Sequence, residues 1–195
     1  MADSYTYDIF LSYRRSGPGN ARDWVHNHFY PLLLNCLADQ CQHKPEIFID
    51  VEVETGARWP AKLRKALLGS KMLVAVWSPP YFLSPWCQAE WRSFDAREQM
   101  LAPSYPCTLL YPVIFSDSDC FPPAARERQA RDLKAWSYPH RSFRDTTQYN
   151  ELHAEIITIA TELTIMLQKV PEWDGNWPTC EPELPPPLRH ELPEL

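Results

Sequence analysis

The stretch KMLVAVWSPPYFLSPWCQAEW, residues 71–91, indicates the fold of the whole chain. Its first part, MLVAVW at 72–77, is apolar without interruption, as expected for a strand in the middle of a parallel sheet that is covered on both faces. Ser84 and Pro85 then supply an N-cap and a first-turn proline, so a helix is predicted over residues 84–100. A buried strand followed by a helix is the repeating unit of an α/β domain.

The same alternation runs through the first 169 residues. Further strands are predicted at residues 7–13, 46–50, 109–115 and 133–138. Further helices are predicted at 20–39 and 59–70, and a last helix carries an apolar stripe of Leu152, Ile156, Ile159, Ala160, Leu163, Met166 and Leu167. Pro31 is expected to kink the first helix, and Pro112 is expected to mark an edge position or a bulge in the fourth strand.

This pattern predicts an α/β fold with a flavodoxin-like, doubly wound, five-stranded parallel sheet of order 2-1-3-4-5 and helices on both faces. Ligands of such sheets bind beyond the carboxyl ends of the strands, at the switch point between strands one and three. The segments that leave those ends are SYRRSGPGN (12–20) and SPPYFLSPWCQAEW (78–91). Glu90 therefore lies beside the predicted crevice, on the helix face that also carries Trp86 and Phe94.

Length and charge limit the domain organisation. The 195 residues, 45% of them hydrophobic, suffice for one well-buried domain, which we expect at residues 1–169. Residues 170–195 are predicted to form a proline-rich acidic tail that is extended and wraps the domain through Trp173 and Trp177. The tail holds six acids and one arginine, which accounts for five of the six net negative charges. The domain is therefore nearly neutral and has no face-sized basic cluster for nucleic acid.

Membrane and metal sites are not predicted either. No stretch approaches the roughly 18 apolar residues of a membrane span, and the start MADSYTYDIF does not resemble a signal peptide, so a cytoplasmic protein is expected. The six cysteines contain no C-x-x-C pair and lie mostly in apolar segments, which favours buried free thiols over disulfides or a zinc site. His26 and His28 are two residues apart on a predicted helix and point in different directions.

Three segments resemble the signature boxes of a TIR (Toll/interleukin-1 receptor) domain: YDIFLSYRRS (7–16), IFIDVEVETGARWPAKLRKAL (47–67) and KMLVAVWSPPYFLSPWCQAEW (71–91). The chain is similar in particular to the prokaryotic, NAD-cleaving form of the family, over about residues 5–168. Trp86 and Glu90 resemble the W-x-x-x-E motif of that form, and the resemblance implies that Glu90 is the catalytic residue.

The resemblance also implies partners. Residues 51–59 correspond to the BB loop, through which TIR domains self-associate, and a head-to-tail contact of this kind builds an open array. Similar prokaryotic proteins act in antiphage defence, where they deplete NAD+ or make a nucleotide signal for a separate effector. No sensor domain is recognised in this sequence, so activation is expected from another protein or from assembly.

The chemistry of NAD+ cleavage agrees with a single carboxylate. Nicotinamide leaves as a neutral molecule and needs no acid, but positive charge grows on the ribose, as in an oxocarbenium-like glycosyl transition state. A carboxylate beside the ribose stabilises that charge or holds its hydroxyls, most strongly in a partly dry pocket. Capture by water would give ADP-ribose, and capture within the same molecule would give a cyclic ADP-ribose isomer; the sequence leaves both open.

Residues near the strand ends are predicted to bind the substrate. Arg14 and Arg15 suit a diphosphate, although a solvated surface pair fits the sequence as well. Asp50 holds a ribose, orders the BB loop, or is a turn or cap residue. Trp59 stacks on a base or anchors the second helix. The complete predicted set is Tyr13, Arg14, Arg15, Asp50, Arg58, Trp59 and Trp86, with Glu90 as the catalytic residue.

Other interpretations fit some of the same residues. For Glu90, the alternative is a salt bridge on the helix surface to Arg97 or a neighbouring arginine. For the whole chain, it is a TIR adaptor without enzymatic activity, which would pair with other TIR domains through the BB loop and helix surfaces.

A receiver domain is rejected because YRRS and PHRS stand where it needs paired acids and a lysine. A dehydrogenase is disfavoured because G-x-G-x-x-G fails after Gly17, so NAD+ is expected as a substrate, with no bound cofactor.

Overall fold

The computed structural model describes residues 4–49, 61–102, 105, 107–117 and 119–183. Within these ranges, five strands form one parallel sheet of order β2-β1-β3-β4-β5. The strands are β1 (Tyr7–Tyr13), β2 (Ile47–Ile49), β3 (Ser70–Trp77), β4 (Leu110–Ile114) and β5 (Arg131–Asp132). The predicted fold class and strand order are confirmed.

Helices cover both faces of the sheet, as predicted. One face packs against α1 (Ala21–Trp24), α2 (Tyr30–Ala38) and α7 (Thr147–Leu167). The other face packs against α3 (Ala61–Leu68), α4 (Pro79–Phe82), α5 (Pro85–Leu101) and the short α6 (Pro123–Arg126). Each face has its own apolar core, and the sheet separates the two cores.

The strand β3 contributes to both cores because it lies between β1 and β4. Its apolar run alternates between them: Met72, Val74 and Val76 belong to the core under α2 and α7, and Leu73, Ala75 and Trp77 belong to the core under α3 and α5. A strand that is covered on both faces needs apolar residues at every position, which explains the uninterrupted run.

Pro31 distorts the first helical region. A π-helix, Val25–Phe29, joins α1 to α2, and Pro31 lies in the first turn of α2. Proline lacks the N–H that would bond the carbonyl of Asn27 one turn earlier. That carbonyl accepts a hydrogen bond from Arg144 Nη2 instead, and Asn27 Nδ2 donates to the Pro139 carbonyl at 2.9 Å. Where the sequence predicts a kink, the structure has a π-helix, and these two bonds attach residues 139–144 to it.

Pro112 lies inside β4, which is not an edge strand. However, β5 pairs only with Val113 and Ile114, so the preceding part of β4 is open on that side. The N–H of Phe115 donates to the Trp77 carbonyl of β3 at 2.9 Å, so odd-numbered residues bond to β3 and Pro112 directs its nitrogen to the open side. The missing N–H therefore removes no bond from the sheet, and the predicted edge position holds locally.

Glu98 of α5 covers the start of this open side. Its Oε1 accepts hydrogen bonds from the backbone N–H of Leu109 at 2.7 Å and of Leu110 at 3.0 Å. Two residues of β4 direct their nitrogen to the open side before the pairing with β5 begins. The N–H of Leu110 is bonded to Glu98, and Pro112 has no N–H.

The fifth strand is shorter and earlier than predicted. The sequence predicts it at 133–138, but β5 is Arg131–Asp132, and Lys134–Trp136 forms a 3-10 helix. The N–H of Lys134 donates to Asp132 Oδ1 at 2.9 Å, a local bond that turns the chain out of the sheet. Leu133 is buried and is the last residue to bond to β4. The prediction was wrong because one buried leucine and a half-buried tryptophan imitate a strand pattern.

Residues 170–183 pack against α3 and α5, and we call them the C-terminal strap. Trp173 Nε1 donates to the carbonyl of Leu68 at 3.2 Å, and a backbone N–H of the strap donates to a serine of α5. Trp177 is buried. These contacts agree with the expectation that the tail wraps the domain through both tryptophans. Residues 184–195 lie outside the described residues.

Asp8 joins the amino ends of three strands. Its buried carboxylate accepts hydrogen bonds from Lys71 Nζ at 2.7 Å and from the N–H of Glu46 at 3.0 Å, and it lies 3.1 Å from His43 Nε2. Burial raises the pKa of Asp8, but the bonds to Lys71, Glu46 and His43 outweigh burial, so the pKa is lowered.

The variant Asp8→Asn is expected to lose about 2 kcal/mol of unfolding free energy at neutral pH, the scale of hydrogen bonds to a charged group. Because the folded-state pKa is lowered, the wild-type advantage exists above the unfolded pKa and is lost as pH falls through the folded pKa. Urea unfolding at neutral and strongly acidic pH measures both proteins. A stability difference that does not change with pH would contradict the assigned role.

Candidate active site

The end of β1 and the first two turns of α5 meet at one edge of the sheet. The Oγ of Ser84 caps α5 by accepting the N–H of Cys87 at 3.4 Å. Since α5 runs antiparallel to the strands, Glu90 in its second turn contacts Ser12 near the carboxyl end of β1, whereas Glu98 contacts the amino end of β4. Glu90 therefore lies at the carboxyl edge, beside the switch point of the sheet.

The Glu90 carboxylate is 2% exposed and has a donor at each oxygen. Ser12 Oγ donates to Oε2 at 2.6 Å, and Arg15 Nη2 donates to Oε1 at 3.3 Å. Burial raises the pKa of Glu90, while Arg15 and Ser12 lower it in part, and the net shift is upward. This carboxylate therefore takes a proton at a higher pH than an exposed glutamate does.

Ser12 connects Glu90 to Tyr81 of α4. The Ser12 Oγ and the Tyr81 hydroxyl lie 2.9 Å apart, and the Tyr81 hydroxyl donates to the carbonyl of Cys87 at 3.3 Å. Burial raises the pKa of Tyr81 well above its ordinary value and that of the Cys87 thiol to about 12. Both side chains are therefore neutral over the range in which Glu90 titrates.

The predicted residues of the first strand end lie in different environments. Arg15 reaches Glu90, whereas Arg14 Nε donates to the carbonyl of Ser16 at 2.6 Å. Tyr13 is buried, its hydroxyl lies 2.7 Å from His26 Nε2, and burial raises the pKa of Tyr13 to about 12. The structure thus brings one of the two predicted diphosphate-binding arginines into contact with the predicted catalytic acid.

Trp86 is half-buried and packs against the core under α3 and α5. Asp50, Arg58 and Trp59 lie outside the described residues, as does the BB loop at 51–59. Their predicted roles stay predictions.

The predicted alternative was a salt bridge on the helix surface from Glu90 to Arg97 or a neighbouring arginine. Glu90 does form a salt bridge with an arginine, but the carboxylate is buried and its partner is not Arg97. Arg97 is buried, and its guanidinium donates to the carbonyls of Leu67 at 2.9 Å and Ser70 at 3.3 Å. Two turns of α5 separate residues 90 and 97, so the arginine reaches the start of β3 while the glutamate reaches the end of β1. The arginine that pairs with Glu90 is Arg15.

Ser12 and Tyr81 are site residues that sequence reasoning missed. Ser12 offered a signal, because a serine inside the apolar run IFLSY of a strand covered on both faces needs a buried polar partner. Tyr81 offered none, because an aromatic residue after a strand is equally suited to packing.

Two described cavities lie away from Glu90. The wider one, about 1550 Å³, follows the open side of β4 and contains Arg128 and Arg131, which are paired with Glu98 and Glu162. The narrower one, about 510 Å³, lies beside Trp91. Both arginines of the wide cavity are already neutralised by acids. Within the described ranges, no three metal-ligating side chains form a cluster.

The family model of the TIR domain matches residues 9–147. The chain belongs to the TIR domain family. The matched part of this TIR domain contains Ser12, Arg15, Tyr81 and Glu90. A comparison with the curated proteins gives no match. Among the helices that the structure describes, none has the length and apolar character to cross a membrane.

Two solved structures resemble this TIR domain. The TIR domain of the Toll-related receptor TRR-2 from Hydra magnipapillata is 17% identical, with a TM-score of 0.46, over 77% of this chain and 98% of that chain. The TIR domains of the activated Roq1 resistosome, which directly recognises the pathogen effector XopQ, are 19% identical, with a TM-score of 0.41, over 84% of each chain. Both TM-scores are below 0.5, so the family assignment rests on the sequence match.

Proposed function

We propose that this TIR domain cleaves NAD+ between nicotinamide and ribose. The observation that carries the proposal is the Glu90 carboxylate, which is 2% exposed and held by Ser12 at 2.6 Å and Arg15 at 3.3 Å. Burial of an ionisable acid costs free energy, which a glutamate on an exposed helix face avoids. A buried acid with a raised pKa, at the sheet edge where ligands of this topology bind, is therefore a candidate for catalysis.

The proposed reaction uses the charge of Glu90. When the bond between nicotinamide and C1′ of the ribose breaks, both bonding electrons leave with nicotinamide, and C1′ becomes positively charged. The carboxylate stabilises this cation, and the stabilisation is stronger in a buried site than in water because the local dielectric constant is lower. No general acid is needed, which fits the single glutamate in the described part of the site.

Substrate binding requires Arg15 to exchange partners in this proposal. Its Nη2 lies 3.3 Å from Glu90 Oε1, which is longer than the roughly 2.8 Å of a strong charge-assisted bond. A diphosphate carries more negative charge than one carboxylate and matches the guanidinium fork. We therefore expect Arg15 to turn to the diphosphate and leave Oε1 to the ribose. Arg14, Tyr13 and Trp86 complete the described part of the proposed site, and Asp50, Arg58 and Trp59 keep the roles that the sequence predicts.

Two products agree with this reaction, ADP-ribose and a cyclic ADP-ribose isomer. They differ only in the group that captures C1′, and that choice depends on how the nucleotide folds back in the site. The prokaryotic resemblance of the three sequence boxes supports a role in cytoplasmic antiphage defence, together with a separate sensor or effector protein.

The alternative function is a TIR adaptor without enzymatic activity. One observation favours it: both oxygens of Glu90 already have donors, so the carboxylate has a purely structural use as a link between β1 and α5. The two functions differ in the fate of NAD+.

Purified protein is expected to release nicotinamide from NAD+, with the second product identified by mass spectrometry.

Since the proposal includes self-association through the BB loop at 51–59, the rate per molecule is expected to rise with protein concentration. Gly56→Pro is expected to reduce activity and assembly together. A rate per molecule that stays constant on dilution, with monomers seen by light scattering, would refute the assembly step. Assembly without nicotinamide release at any concentration favours the adaptor.

A further inference from the structure

Three buried contacts connect Glu90 to the backbone of its own helix. Glu90 Oε2 lies 2.6 Å from Ser12 Oγ, Ser12 Oγ lies 2.9 Å from the Tyr81 hydroxyl, and that hydroxyl lies 3.3 Å from the Cys87 carbonyl. None of the four residues is more than 2% exposed. The hydrogens in these contacts are therefore those of the side chains themselves.

With Glu90 ionised, this chain of contacts has too few hydrogens. Ser12 and Tyr81 supply one hydroxyl hydrogen each, and the carboxylate supplies none. Ser12 donates to Glu90 Oε2 at 2.6 Å, so Tyr81 donates either to Ser12 Oγ or to the Cys87 carbonyl. Two hydrogens serve three contacts, and one contact stays without a hydrogen.

With Glu90 protonated, the same atoms satisfy all three contacts. The carboxyl O–H on Oε2 donates to Ser12 Oγ, Ser12 donates to the Tyr81 oxygen, and Tyr81 donates to the Cys87 carbonyl. Every donor direction along the hydrogen-bond chain is then fixed, and the contact between Ser12 and Glu90 runs opposite to its direction in the ionised state. Only hydrogens change place, and the non-hydrogen atoms stay where they are.

We propose that Ser12 and Tyr81 are positioning residues that keep the Glu90 carboxyl in one place in both of its protonation states, so that Glu90 accepts a proton during the reaction without turning away from the ribose. This inference rests on the proposed cleavage of NAD+. After nicotinamide has left with the electron pair of its bond, a water or hydroxyl oxygen bonds to C1′ and its O–H bond breaks. The Glu90 carboxylate takes the proton and gives it to solvent when the product leaves, and nothing is oxidised or reduced.

The other titratable groups that face Glu90 keep their charge state during this step. Tyr13 of β1 and Cys87 of α5 have their pKa raised to about 12 by burial, and burial also raises the pKa of Tyr81 well above its ordinary value. Arg15, which follows β1, faces Oε1, and a guanidinium stays protonated in proteins. Glu90 is therefore the group of this set that exchanges a proton.

The test measures the pKa of Glu90 by NMR titration. The protein carries 13C-labelled glutamate, and the Glu90→Gln variant identifies the Glu90 signal. Ser12→Ala is expected to raise this pKa, because the ionised carboxylate loses a charge-assisted donor. Tyr81→Phe is expected to lower it, because the protonated state loses two bonds of the chain and the ionised state loses one. Ser93→Ala, another buried serine of α5, bonds to the Ala89 carbonyl instead and is expected to leave the pKa unchanged.

Opposite shifts of the Glu90 pKa in Ser12→Ala and Tyr81→Phe distinguish the hydrogen-bond chain from a purely structural role of the two hydroxyls. If the two hydroxyls only solvate the charge, both substitutions raise the pKa, so a rise or no change in Tyr81→Phe overturns the inference. Tyr81→Phe alone decides this if Ser12→Ala does not fold. The acid limb of kcat/KM is expected to move with the same signs. Opposite shifts of the Glu90 pKa without NAD+ cleavage would refute the proposed function but support the hydrogen-bond chain. Cleavage of NAD+ without these shifts would refute the hydrogen-bond chain alone.

Discussion

Replacing Glu90 with glutamine is expected to slow NAD+ cleavage by at least about 100-fold, the scale on which loss of one electrostatic group acts in an active site. The amide has the shape of the carboxylate and finds partners in Ser12 and Arg15, so the local structure is kept. However, the amide has no charge to stabilise the ribose cation, and it is a much weaker proton acceptor than a carboxylate. Nicotinamide release, measured at equal protein concentration, gives the ratio.

The matched control is Glu98→Gln. Glu98 lies two turns later on the same helix, and its carboxylate accepts three hydrogen bonds at the amino edge of the sheet, two from backbone N–H groups and one from Arg128. This variant is expected to cleave NAD+ like the wild type. Equal losses in both variants would indicate damage to α5 rather than loss of a catalytic charge.

Stability gives a second measure of the Glu90 substitution. Because burial raises the folded-state pKa of Glu90, its contribution to stability is fully present at low pH and is lost as pH rises through the folded pKa. Glu90→Gln removes this penalty, so near neutral pH it is expected to melt no lower than the wild type. Unchanged turnover in this variant would exclude a catalytic charge, and a strongly lowered Tm would indicate a structural role.

Truncation of Trp177 to alanine is expected to cost about 3 kcal/mol of unfolding free energy, as for other buried aromatic residues. At this chain length the loss corresponds to a fall in Tm of roughly 6–12 °C, which scanning calorimetry measures. Trp177 is 5% exposed, and its ring centroid lies 5.9 Å from the guanidinium carbon of Arg97, which also lies 4.3 Å from the ring of Phe94. Burial lowers the pKa of Arg97 to about 10, and removal of Trp177 opens this arginine to water.

Deletion of residues 180–195 is the control for the strap, because it keeps Trp173 and Trp177. It is expected to preserve activity per folded molecule. A wild-type Tm for Trp177→Ala would show that the Trp177 side chain contributes nothing to the stability of the fold. Loss of activity in the deletion variant, with its fold intact, would assign the tail to the site or to an assembly contact.

The sheet was predictable because its strands are apolar for a tertiary reason that is visible in the sequence. MLVAVW at 72–77 is apolar at every position because both cores lie against β3, and the stripe from Leu152 to Leu163 is buried on α7 as predicted. The fifth strand was mispredicted because a single side-chain bond, from the N–H of Lys134 to Asp132, decides where the chain leaves the sheet. Such a bond leaves no periodic pattern.

The site was predictable in part. Glu90 and Arg15 lie in segments that leave the strands at the switch point, and their contact follows from that topology. The partners that complete the carboxyl site are Ser12, 78 residues from Glu90, and Tyr81, 69 residues from Ser12. The distances between the side chains of Ser12, Tyr81 and Glu90 depend on the register of β1 against β3 and on the turn between β3 and α5. The residue pattern alone does not specify either of these.

The open side of β4 bears on how this protein avoids aggregation. A strand added to a sheet edge needs both donors and acceptors from the edge, but Leu110 donates its N–H to Glu98, and Pro112 has no N–H. This described part of the edge offers an incoming strand carbonyls alone, and two chains that both lack free donors form no ladder. We therefore expect the domain to resist fusion into cross-β fibrils along this edge.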